Sequence, residues 1–171
     1  MGSRIVVSQA IHADAPPAAA FAPIRRIGGR VGWYYGRPLW QLRAWIDRML
    51  GGPGMRGRRD GAHLAEGDRV DFWRVQRVVA DRKLTLIAEM KVPGRAWLDF
   101  EVEPDATGST IRQTAIFDAR GLFGLLYWYI SYPVHRMAFA GMLRNIAAAA
   151  RGSRQDSRAQ ARFRISTIKV K

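Results

Sequence analysis

Between Arg69 and Phe117 the chain alternates β-branched and aromatic runs with short turn signals, and this pattern limits the fold more than any other feature. The runs 69–79, 83–92, 95–103 and 110–117 are separated by Asp81-Arg82, by Pro93-Gly94 and by Asp105-Ala106-Thr107-Gly108-Ser109. Connections this short join neighbouring antiparallel strands, because a parallel pair needs a crossover of a dozen or more residues. The spacing therefore predicts a hairpin-built meander.

Elements on either side of the meander complete the order. Residues 4–11, with Ile5, Val6 and Val7, read as a strand. Asp14, ahead of Pro16-Pro17, is the expected N-cap of a helix whose Ala20, Phe21, Ile24 and Ile27 follow helical spacing up to Gly28-Gly29. Pro38 suits the first turn of a second helix, in which Leu39, Leu42, Trp45, Ile46, Met49 and Leu50 form one stripe before Gly51-Gly52-Pro53-Gly54 ends it. After the meander, Gly121 opens a long apolar helix over 122–150, with Pro133 expected to kink it. The order β-α-α-β-meander-α predicts an α+β fold with helices gathered on one face of a curved antiparallel sheet.

The chain has 171 residues, enough for one domain, here expected over 1–150. Residues 151–171 hold seven basic residues and one acidic; they read as a basic, mobile tail, with weak contact to anionic membranes as its alternative role. The net charge of +14 invites a nucleic-acid reading, but no helix-turn-helix, zinc-finger or aromatic RNA-binding signature supports specific recognition. The absence of cysteine removes disulfides, thiolate nucleophiles and zinc–thiolate sites, and is compatible with a cytoplasmic location. The longest uncharged stretch, between Arg120 and Arg136, is too short to span a bilayer. Three scattered histidines without ligand spacing predict no metal site, and no bound cofactor is expected.

Register at Pro93-Gly94 decides which side chains face inward, since a one-residue slip exchanges the two faces of a strand. A two-residue loop would put Glu89 and Lys91 on one face with Ala96, Leu98, Phe100 and Val102. A three-residue loop with Gly94 in the left-handed position joins Leu84, Leu86, Ala88 and Met90 to that apolar face, and turns Thr85, Glu89, Trp97, Asp99 and Glu101 outward. The second register is preferred, because burying unpaired charge costs several kcal/mol.

Several strings occur together: Gly32-Trp33-Tyr34-Tyr35, Leu39-Trp40-Gln41-Leu42-Arg43, Gly57-Arg58-Arg59-Asp60, Asp71-Phe72-Trp73-Arg74-Val75, Ala88-Glu89-Met90-Lys91, Pro93-Gly94-Arg95-Ala96-Trp97-Leu98, Gln113-Thr114-Ala115-Ile116-Phe117 and Tyr127-Trp128-Tyr129. In this combination the chain resembles, over about Val31 to Ala150, the domain of unknown function numbered 2867. That family is similar to the helix-grip (START, polyketide-cyclase-like) superfamily. The resemblance implies a sheet gripping a long C-terminal helix around an apolar cavity, and hence a small hydrophobic ligand. Members often follow an NAD(P)-binding reductase-like domain, which implies a separate NAD(P)-dependent reductase as a partner. Gly28, Gly29 and Gly32 have the wrong spacing for a dinucleotide site of the chain's own.

Candidate site residues follow from both readings. Trp40, Trp45, Trp73, Trp97, Tyr127, Trp128, Tyr129, Tyr132 and Phe139 offer aromatic walls with polar tips, joined by Phe117, and Met90, Leu98 and Phe100 offer apolar strand positions. The same side chains would also suit an ordinary core. His135 is the candidate general acid or base, or a hydrogen-bond partner for a ligand carbonyl. Glu89, Lys91, Arg58 and Arg59 are candidate polar anchors, the arginines through their planar forks. The leading expectation is a ligand-binding domain without a bound metal or nucleotide. An enzyme of cyclase, dehydratase or hydrolase type, using His135, Tyr127 or Glu89 for proton transfer, and an accessory module for a separate reductase stay open beside it.

Overall fold

The first strand, β1 (Ser3–Ala13), lies antiparallel to the last, β6 (Ser109–Ala119), along all eleven of its residues, from Ser3 opposite Ala119 to Ala13 opposite Ser109. Alternation along β1 explains the pairing, since Ile5, Val7 and Ile11 turn inward while Arg4, Val6 and Ser8 are exposed. The structure, a computed structural model, describes residues 3–29, 32–54, 56–57 and 64–166. Between these two strands come α1 (Pro17–Arg25), α2 (Arg37–Met49), β2 (Arg69–Val70), β3 (Trp73–Val79), β4 (Lys83–Ala88) and β5 (Gly94–Pro104). α3 (Gly121–Ser166) follows β6. The six described strands form one antiparallel sheet in the order β1-β6-β5-β4-β3-β2.

Local chemistry fixes the hairpins. Asp81, at φ +59°, turns β3 into β4. At the β5–β6 turn the Asp105 carboxylate accepts from the Thr107 and Gly108 backbone N–H groups at 3.0 and 2.9 Å and from the Thr110 hydroxyl at 3.0 Å. These bonds, led by that from Thr107, hold its carboxyl down to about 2.

The apolar register at the β4–β5 hairpin is the one observed, with Leu84 opposite Phe100 and Leu86 opposite Leu98. The connection is longer than three residues, however. β4 ends at Ala88, and Gly94 opens β5 at a nearly extended φ of +158° rather than occupying a left-handed turn position. The expected strand 69–79 is in fact a hairpin. Asp71 takes φ +57°, so that Val70 pairs with Trp73 and Arg69 with Arg74. The Asp71 carboxylate is buried and accepts from Trp33 Nε1 at 2.9 Å and the Gly29 N–H at 3.2 Å, tying this turn to the segment between α1 and α2. Asp14 does not cap α1; Pro16 occupies the N-cap position, and Asp14 approaches His12 at 3.3 Å.

Phe139, Met142, Leu143, Ile146, Ala147 and Ala150 line the inward face of α3, which packs on α1, β1 and β6. Gly124 lets the start of this helix approach the β4–β5 connection, since a Cβ there would overlap the Pro93 carbonyl. The helix runs unbroken through Pro133 and continues past Ala150 and Gly152 to Ser166. Phe21, Ile24, Phe72, Leu84, Leu86, Leu98 and Phe100 complete the interior between helices and sheet.

α2 departs most from expectation. Its Leu42, Trp45, Ile46, Met49 and Leu50 are exposed, and its inward side chains are Trp40, Ala44 and Asp47. Polar bonds select that face. Asp47 is fully buried and accepts from the Lys91 N–H at 2.6 Å and the Gly54 N–H at 3.0 Å, and Trp40 Nε1 donates to the Tyr35 carbonyl at 2.9 Å.

Candidate functional site

Where α2, the β4–β5 connection, β6 and α3 meet, they border a small cleft of about 50 Å³. Its wall is mainly apolar: Trp40 from α2, Trp73 from β3, Met90 and Val92 from the connection, Ala115 and Phe117 from β6. Tyr127, Trp128, His135 and Phe139 of α3 close it. This volume holds a few water molecules and falls well short of the ~300–1,000 Å³ of typical small-molecule pockets.

Aromatic rings fill the remaining space. Phe117 stacks on Trp128 at 5.5 Å, and Trp128 on His135 at 6.1 Å. His135 meets Phe139 at 5.6 Å, Phe139 meets Trp40 at 6.4 Å, and Trp40 meets Trp33 at 5.5 Å. The chain of rings continues through Trp33 to Trp73 at 6.1 Å. The spacing along α3 produces the first part of it: residues 128, 135 and 139 are seven and four apart and so share one helical face.

Three polar groups border this apolar wall. The Nδ1–H of His135 donates to the Ser131 carbonyl at 2.9 Å, which leaves Nε2 with its lone pair in the neutral ring. Burial pushes the His135 imidazole below its ordinary value; the bond to Ser131 opposes this, and the charge of Arg43 adds to it. Arg43 donates through Nη2 to the Lys91 carbonyl at 2.8 Å, and its Nη1 lies 3.8 Å from Asp47 Oδ1. Its Nε and Nη1 are nevertheless buried without a hydrogen bond, and so is Nε1 of Trp73. Trp73 is only 4% exposed, so its indole N–H has exchanged water for nothing.

His12 contrasts with His135. It lies on the exposed side of β1, and its imidazole is held above the ordinary value by bonds to Asp105 at 2.9 Å and Asp14 at 3.3 Å. Linkage then runs in opposite senses. His12 favours the folded state below about pH 6.5 and loses that contribution as pH rises through its folded value, whereas His135 opposes folding once pH falls below about 6.5. A proton NMR titration of the imidazole signals should place the His12 midpoint above about 6.5 and that of His135 below it; the reverse order would contradict this geometry.

Of the expected cavity residues, Trp40, Trp73, Met90, Phe117, Tyr127, His135 and Phe139 border the cleft. Leu98 and Phe100 do not, being fully buried in the interior, and Tyr132 packs on Trp128 at 6.0 Å instead. Glu89 is turned away and forms ion pairs with Arg74, whose Nε donates at 2.7 Å, and with Arg69 at 3.7 Å. Lys91 is exposed and enters through its backbone, donating to Asp47 and accepting from Arg43. Arg58 and Arg59 lie outside the described residues. Trp97 and Trp128, also expected, border the cleft as well, whereas Trp45 and Tyr129 are exposed. Arg43 was missing from the expected set, because its place depends on a partner far along the chain. Among the described residues no three His, Asp or Glu side chains converge as a metal-binding group.

Solved structures share this architecture at low identity. A protein from Nitrosomonas europaea aligns with a TM-score of 0.54 at 11% identity, covering 88% of this chain and 97% of its own. A protein of unknown function from Staphylococcus aureus gives 0.50 at 14% identity, covering 90% and 98%. A protein from Rhodobacter sphaeroides gives 0.52 at 11%, covering 84% and 90%. At such identities the likeness extends to the fold alone, which is helix-grip-like. No curated protein matches the sequence. The profile of one family matches residues 5–142, so the relationship begins in β1 and not only at Val31, and the chain belongs to the DUF2867 family of proteins of unknown function.

Proposed function

We propose that the protein binds a small, mainly apolar molecule bearing a carboxylate or other hydrogen-bond acceptor, held between the sheet and α3. The reading rests on one observation: Trp73 and Arg43 border an aromatic cleft, and Trp73 Nε1 and the Nε and Nη1 groups of Arg43 are buried without a hydrogen bond. Such donors are costly to leave unpaired, and an acceptor on the ligand would satisfy them. The cleft is too small for such a guest as it stands, so Met90 and Phe139 change rotamer when it enters. Met is suited to this, having three rotatable bonds and no branching.

Native mass spectrometry of protein purified from its own host, together with thermal shift on adding medium-chain fatty acids and aromatic carboxylic acids, tests the proposal. A co-purifying acid, or a rise in Tm with at least one class, is expected. Trp73→Phe should weaken that binding about tenfold, the equivalent of one hydrogen bond worth ~1.4 kcal/mol. If every acid leaves Tm unmoved, or Trp73→Phe binds as well as the native chain, the reading fails.

The enzymatic alternative draws on His135, a neutral base with Nε2 free. Acid–base chemistry commonly needs a second group of separated pKa, and no carboxylate borders the cleft among the described residues.

A further inference from the structure

α2 turns an apolar stripe away from the protein: Leu42, Trp45, Ile46 and Met49 follow i, i+3, i+4, i+7 spacing and are exposed, Met49 at 71%. The first half of α3 does the same. Leu122, Phe123, Leu126, Tyr129 and Ile130 lie away from the inward side that carries Trp128, His135 and Phe139, and Phe123 is 81% exposed. Single exposed apolar residues are ordinary on a protein surface, but two helices that each present a whole apolar face mark an interaction site. Both helices border the same cleft, α2 through Trp40 and Arg43, α3 through Trp128 and His135.

Charge identifies the occupant. Along α2, and along α3 as far as residue 152, the exposed charges are all arginine: Arg37 and Arg48 on α2, Arg120 just ahead of α3, and Arg136, Arg144 and Arg151 along it. The single carboxylate of α2, Asp47, is buried, and residues 121–152 contain no Asp or Glu. We propose that these two faces dock the protein onto an anionic lipid surface, apolar side chains entering the acyl boundary and arginines meeting phosphate headgroups. Trp45 and Tyr129 suit that depth, where an amphipathic ring has one apolar and one wet side. A second copy would set arginine against arginine on a chain of net charge +14. No helix among the described residues is long and apolar enough to cross a membrane, so the contact is one of lying on the surface.

Flotation of the full chain with vesicles of phosphatidylcholine, with and without phosphatidylglycerol, tests the proposal. Binding is expected only with the anionic lipid and should weaken as salt is raised. The pairs Trp45→Ser with Met49→Ser, and Phe123→Ser with Ile130→Ser, change exposed positions; each should lower binding about tenfold or more while leaving Tm in place. Val6→Ser, on the exposed face of β1, should float as the native chain does. The cleft reading stands apart, because Trp73→Phe should leave flotation unchanged. The proposal is overturned if anionic vesicles do not bind the chain, if both serine pairs bind like the native chain, or if size-exclusion shows a dimer that the same substitutions split.

Discussion

Replacing Asp47 by alanine should lower the unfolding free energy by about 3–5 kcal/mol, measured as a fall in the urea midpoint at unchanged slope. The carboxylate is buried, and it accepts from the backbone N–H groups of Lys91 and Gly54 while facing Arg43. Removing it strands the buried Gly54 donor and the part-buried Lys91 donor, at ~1–3 kcal/mol for a buried one, and leaves a largely buried guanidinium without its counter-charge. Asp47→Asn keeps the shape and one acceptor oxygen and should cost less than alanine. Both variants should also release α2, because these bonds join it to the β4–β5 connection and to the segment that follows it. A loss below about 1 kcal/mol for the alanine variant would mean that the helix is held by its apolar contacts instead.

Trp128→Ala is the second large effect. The ring is 7% exposed and lies between Phe117 and His135. Its removal should cost ~3–5 kcal/mol and leave an apolar void on the order of 150 Å³, a size known to admit benzene-like guests. Added indole should therefore raise the Tm of the variant and leave that of the native chain unmoved. If the variant loses stability without responding to indole, the surrounding helices have collapsed onto the space, and the cleft wall is softer than its stacked rings suggest.

Turn chemistry made the meander readable. Asp81 and the Asp105–Ser109 segment carry their own local bonding, so hairpins there follow from a few adjacent residues. The preferred inward face at the β4–β5 hairpin followed from charge: Glu89 turned out to sit with Arg74 and Arg69 rather than inside. The β2–β3 hairpin was hidden, because Val70-Asp71-Phe72-Trp73 looks like a continuous strand, and the left-handed Asp71 is stabilised by Trp33, which is remote in sequence. Periodicity located the apolar stripe of α2 but not the side on which the interior lies. That choice belongs to Trp40 and to the Asp47–Lys91 bond, a contact made across 44 positions. The aromatic cleft residues were largely anticipated from residue type, whereas the unpaired donors of Arg43 and Trp73 emerge only from three-dimensional packing.

The pairing of β1 with β6 sets the timetable of folding. Residues 3–13 are synthesised ahead of their partner, residues 109–119, which is made after another ~100 residues, about 5–20 s later at ordinary synthesis rates. Throughout that interval β1 has no edge to join, and once β6 appears its own edge stays open until β1 returns. Bulky additions ahead of β1 should therefore slow maturation more than equal additions after α3.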